Sequence, residues 1–106
     1  MPSSSSPSFG LTQVELNEVI RILEAFDAVQ GAILFGSRAK GSHKPGSDID
    51  IALIGDNLES CITQIAYQLN EELTLPYFFD VLDYKNISHQ DLKEHIDRVG
   101  VRFYSK

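Results

Sequence analysis

Two short apolar runs, Gly31-Ala32-Ile33-Leu34-Phe35 and Ile49-Asp50-Ile51-Ala52-Leu53-Ile54, flank a loop rich in Gly and Ser. Each run is too short for a core helix and reads as a buried strand. The second, taken over residues 48–54, opens on Asp48-Ile49-Asp50. Carboxylates in an apolar strand are costly unless something cationic meets them. In a strand, residues i and i+2 share one face, about 6.6 Å apart. Asp48 and Asp50 therefore project together, and a chain that keeps them must supply a counter-charge.

The remaining elements follow from periodicity and punctuation. Thr12-Gln13-Val14-Glu15 has capping-box spacing, and Val14, Val19, Ile20, Leu23 and Phe26 recur close to helical period, predicting a helix over 12–27. Ser37 to Ala39 begin a short helical turn that Gly41 ends, and 42–47 is a loop. A second helix is expected over 57–72, with Leu58, Ile62, Ile65, Ala66 and Leu69 on one face. After the break at Pro76, residues 77–84 are strongly strand-forming, and Tyr77, Phe78, Phe79 and Tyr84 read as core. A last helix over 88–99 has its N-cap at Ser88-His89-Gln90-Asp91 and stops at Gly100, leaving 101–104 as a short extended tail. The order α-β-β-α-β-α predicts an α/β (α+β) chain: a small mixed sheet flanked by helices.

The 106 residues suit one domain with a modest core, and 42% hydrophobic with 23% charged residues is globular composition. Residues 1–10, MPSSSSPSFG, read as a flexible leader without signal-peptide features, and 11–106 as the domain. No apolar run approaches the roughly 18 residues of a membrane span. Cys61 is the single cysteine, so no intramolecular disulfide forms and a reducing, cytoplasmic setting is expected. The net charge of −6 argues against general nucleic-acid binding. The basic residues Arg38, Lys40, His43 and Lys44 instead gather in one loop, which fits a small phosphate ligand.

The acidic strand and this loop are complementary. Two same-face carboxylates suit Mg2+, which takes oxygen ligands and completes its shell with waters or substrate phosphates. Asp80, between Phe79 and Val81, completes an acidic trio if its strand neighbours the first. Asp83 faces the other way and reads as structural or solvent-facing. Gly36 and Ser37 follow a strand, where backbone N–H groups can cradle a phosphate, and Gly36 lets an anion approach the main chain. The segment is neither a P-loop nor a dinucleotide fingerprint. His43, His89 and His95 show no metal-ligand spacing and read as surface residues.

Gly36-Ser37, Ala39, Gly41 and Ser47-Asp48-Ile49-Asp50 together match a GSxAxG…SDxDh pattern. With it, the chain resembles the minimal nucleotidyltransferases of the polymerase-β-like superfamily, and the ending Ile96 to Tyr104 is similar to that family's terminal segment. The resemblance implies the polymerase-β-like fold and a metal-dependent nucleotidyltransferase. Gly36, Ser37, Arg38 and Ser47 would hold the triphosphate of ATP or another NTP. Asp48 and Asp50 would bind two Mg2+ ions, and Asp80 would be the third carboxylate, which helps activate the acceptor hydroxyl. Against larger relatives of that family, the chain is expected to lack their extra helical domain. The resemblance further implies a small helical partner of the HEPN type, in a homo- or hetero-oligomer. In some such toxin–antitoxin pairs the antitoxin, of the MntA kind, adds AMP to a tyrosine of the toxin. Two rival readings remain at this point: a non-catalytic antitoxin that neutralises a helical partner by contact alone, and a DxD glycosyltransferase, for which the chain is short.

Overall fold

The structure, a computed structural model, describes residues 11–36, 48–73, 75 and 77–106. The expected leader and the helical turn at 37–39 lie outside the described residues, as do Ser37, Arg38, His43, Lys44, Ser47 and Pro76.

Helix α1 spans Gln13–Glu24. Its capping box forms as the sequence predicts: Thr12 Oγ1 accepts from the Glu15 N–H at 3.1 Å, and Glu15 Oε1 accepts from the Thr12 N–H at 2.9 Å. Val19 and Leu23 are the buried pair, while Val14 is 67% exposed and leaves the expected apolar face. Strand β1 spans Val29–Phe35, starting two residues before the expected run, and β2 spans Ile49–Gly55.

The expected helix over 57–72 is three pieces: a 3-10 turn at Leu58–Ser60, helix α2 at Ile62–Tyr67 and a π-helical turn at Gln68–Glu72. Asn57, with φ +56, turns the chain into the first piece. Asn70 explains the last. Its Nδ2 donates to the Ala66 carbonyl four residues back, at 3.0 Å. That carbonyl is the acceptor an α-helix would use, and a side chain inserted there widens the turn. The same amide reaches β3 (Phe79–Asp83): Nδ2 donates to the Phe79 carbonyl at 3.0 Å, and Oδ1 accepts the Phe79 N–H at 2.8 Å. One asparagine thus occupies the outer edge of β3 as a neighbouring strand would.

After a 3-10 turn at Tyr84–Asn86, helix α3 spans Gln90–Val99 and β4 spans Val101–Ser105. The cap of α3 is His89, whose Nδ1 accepts the Leu92 N–H at 3.3 Å. The residues expected as a tail are a sheet strand. Once Gly100 ends the helix, Val101, Arg102, Tyr104 and Ser105 pair with β1, with Phe103 at an irregularity in the register, a long-range partnership that the local sequence cannot announce.

The sheet order is β3-β2-β1-β4. β1 is antiparallel to β2 and β4, and β2 is parallel to β3, so the sheet is mixed as expected. Helices cover both faces. On one, Ile49, Ile51, Leu53, Ala32, Leu34 and Phe79 pack with Val19 and Leu23 of α1 and with Ile65 and Leu69. On the other, Phe35 and Ala52 pack with Ile96 of α3, bordered by Ile33, Leu82 and Leu92. Phe79 is core as predicted, but Phe78, just ahead of β3, is 58% exposed.

Candidate active site

Asp48 sits just ahead of β2 and Asp50 is its second residue. With Ile49 and Ile51 committed to the α1 side, alternation turns Asp50 toward the α3 side, where it is partly buried. Its register partners are Phe35 on β1 and Asp80 on β3. Paired residues of parallel neighbours point the same way and lie about 4.8 Å apart, so Asp80 projects beside Asp50. Asp48 shares the Asp50 side at i−2. Both Asp48 and Asp80 are exposed. The two strands are neighbours, the condition under which Asp80 completes the trio.

The electrostatics record the crowding. Burial pushes the Asp50 carboxyl above its ordinary value, the charges of Asp80 and then Asp48 push it the same way, and His95 pulls it back. Accumulated hard oxygen donors that raise one another's proton affinity are the environment a divalent cation relieves. Among the described residues, no three acidic, imidazole or thiol side chains form a ready-made metal cage. Mg2+ does not call for one, since it is usually held by one or two carboxylates plus substrate phosphates. The donor set fits the ion in that manner.

Gly36 follows β1 with φ +84, a conformation that L side chains rarely adopt. A Cβ there would fall on the Asp50 carboxylate. The missing side chain is thus already used within the molecule: it leaves room for Asp50. Asp83 takes the structural place expected of it, accepting the Lys85 N–H at 3.2 Å and Asn86 Nδ2 at 2.9 Å. Beyond Asp80 on the same strand face, Leu82 opens a groove of about 390 Å3 between β3 and the start of α3, lined also by Ile87, His89 and Leu92.

His95 is a correction. Read as a surface residue, it is half-buried and sets its ring edge-on to Phe35, centroids 6.3 Å apart. A signal was present: Leu92, His95, Ile96 and Val99 have i, i+3, i+4, i+7 spacing, which assigns His95 to the sheet-facing side of its helix.

The sequence profile described as "Polymerase beta, Nucleotidyltransferase" matches residues 17–106. The chain belongs to the polymerase beta nucleotidyltransferase family. It is a nucleotidyltransferase by that membership, and its mixed sheet with flanking helices is this family's fold. No curated protein matches the sequence. Among solved structures, a toxin–antitoxin complex with AMP-PNP is similar at TM-score 0.63 and 24% identity, over 91% of this chain and 75% of the other. A tri-AMPylated HEPN toxin from Shewanella oneidensis in complex with MNT antitoxin is similar at TM-score 0.66 and 24% identity, over 91% and 74%. A Sulfolobus solfataricus protein aligns over 100% of this chain and 93% of its own, at TM-score 0.57 and 19% identity. Among the described residues of this nucleotidyltransferase, no helix is long and apolar enough to cross a membrane.

Proposed function

We propose that this chain transfers AMP from ATP to a hydroxyl of a HEPN-type partner, a tyrosine in the first instance, as the antitoxin half of a toxin–antitoxin pair. The observation that carries the reading is the register of Asp50 against Asp80 on parallel strands, with Asp48 two residues away on the same side. The shared fold of complexes holding AMP-PNP or an AMPylated HEPN toxin supports the choice of nucleotide and partner.

In this reading the acceptor oxygen forms a bond to the α-phosphorus, the bond from that phosphorus to pyrophosphate breaks, and pyrophosphate leaves. Asp48, Asp50 and Asp80 would hold Mg2+, two ions of it, and the ions would supply charge neutralisation on the triphosphate and on the leaving group. Asp80, exposed on the edge strand, stands on the acceptor side and draws the hydroxyl proton. Two residues further along the strand, the groove lined by Leu82 offers room for an acceptor side chain. Gly36, Ser37, Arg38 and Ser47 bear the phosphates. Positioning and electrostatics do the work, with no covalent protein intermediate.

The test mixes the chain with a HEPN-type partner, Mg2+ and α-labelled ATP. Label moves to the partner, and Asp48→Asn or Asp50→Asn reduces transfer at least about 100-fold without changing the circular dichroism. Persistent labelling by Asp50→Asn sinks the assignment. No label with any NTP, together with tight partner binding that survives both substitutions, establishes neutralisation by contact alone.

A further inference from the structure

The outer edge of β3 is covered at one residue and open at the next outward one. On the inner side the Ile49 N–H donates to the Phe78 carbonyl at 2.8 Å, and the register sets Ile49 opposite Phe79. In a parallel ladder that bond commits the backbone of Phe78, Asp80 and Leu82 to β2 and turns the backbone groups of Phe79 and Val81 outward. Asn70 takes both outward groups of Phe79. Those of Val81 meet no partner among the described residues. Since β3 ends the sheet, an N–H and a C=O are open to another chain one residue from Asp80. The groove of about 390 Å3 follows this edge, lined by Val81, Leu82 and Asp83 in succession and by Ile87, His89 and Leu92 across from them.

Period two decides what an added strand presents. Val81 packs on the α1 side and Leu82 on the α3 side. A residue paired with Val81 therefore sends its two neighbours to the α3 side. One lies beside Asp80 at strand spacing, about 4.8 Å, and the other lies beside Leu82 at the groove. Asn70 closes the edge at Phe79, which sets how far such a segment can run. Charge selects the occupant. Asp80 and Asp48 are exposed, Asp83 lines the groove, and no described Lys or Arg lines it. Lys85, two residues past Asp83, pairs with Asp56. A second copy of this chain, with its net charge of −6, would set the acidic edge against itself.

We propose that an extended, basic segment of the partner adds to the outer edge of β3 through the Val81 N–H and C=O, which brings an acceptor side chain beside Asp80. The inference rests on the reading of Asp80 as the acceptor-side carboxylate, and binding measured without nucleotide or metal keeps the two apart.

A HEPN-type partner is the probe, with affinity read by calorimetry in the absence of ATP and Mg2+. Val81→Pro removes the outward N–H and leaves the bonds to β2 in place, a position where an edge strand tolerates proline. Val81→Ala trims the side chain and keeps the N–H. Val81→Pro should bind at least about 10-fold more weakly than Val81→Ala, and the affinity of the parent should fall as salt rises. Equal affinities of the two variants overturn the proposal, and label that still moves from α-labelled ATP then leaves the proposed function standing. Weaker binding by Val81→Pro, with no label moved by the parent, overturns the proposed function and leaves the edge as a docking site. Affinity indifferent to salt overturns the basic character of the segment. Where proline lowers the melting temperature, amide hydrogen exchange on the parent decides. The Val81 N–H, open in the free chain, should become at least about 10-fold protected when the partner binds, and exchange at the free rate overturns the proposal. Protection in the chain alone that rises with its concentration overturns it in favour of a second copy.

Discussion

Asp50 carries two burdens that can be measured apart. Its proton affinity is raised first by burial and then by Asp80 and Asp48. A carboxyl that holds its proton more tightly folded than unfolded stabilises the fold as pH falls, and its ionised form works against the fold at neutral pH. Asp50→Asn should therefore melt higher than the parent at pH 7 without metal, with the difference shrinking to nothing below about pH 3.9, the ordinary aspartate value. A calorimetric series across pH checks this, and an unchanged difference at low pH would refute the electrostatic cause. Gly36 makes the complementary case. Gly36→Ala meets a positive φ and the Asp50 carboxylate together, and should cost about 1–3 kcal/mol in urea unfolding along with transfer activity. At this scale the chemistry was largely legible: period-two spacing alone puts Asp48 and Asp50 on one side. The use of Gly36 as space for Asp50 was not, because it depends on a close approach across the sheet.

Single elements show where local pattern loses to tertiary demand. The apolar residues from Leu58 to Leu69 keep helical spacing, so an unbroken helix was the natural expectation. Asn70 breaks it by spending its amide on Ala66 and on both backbone groups of Phe79. Nothing in the residues around Asn70 announces a partner nine positions on. Asn70→Asp preserves shape but sets an acceptor against the Phe79 carbonyl. It should cost about 1–3 kcal/mol and lower transfer, since Asp80 is the next residue. Chemical denaturation beside an activity assay tests this; stability lost with full turnover would show that Asp80 keeps its place without the clasp. The sequence announced α1 far better, because both halves of its capping box lie within four residues.

Across the molecule, the β3-β2-β1-β4 order buries one sheet face under α1 and α2 and the other under α3. The mixed sheet and its helical cover were legible from the order of periodicities. The strand order was not, since β4 is five residues long and its pairing with β1 crosses most of the chain. Asp50 and Asp80 meet only across the β2–β3 pairing, with α2 and its flanking turns between them in sequence. Loss of Mn2+ binding in urea should then coincide with loss of helical dichroism; binding that outlasts the helix signal would show the acidic trio surviving on a partial sheet.

The pairing of these two distant aspartates has a further consequence for a newly made chain. Until the later strand docks, the earlier one presents two acids and no third. In the proposed reading, metal-binding competence then arrives in a single step with the finished fold rather than strand by strand.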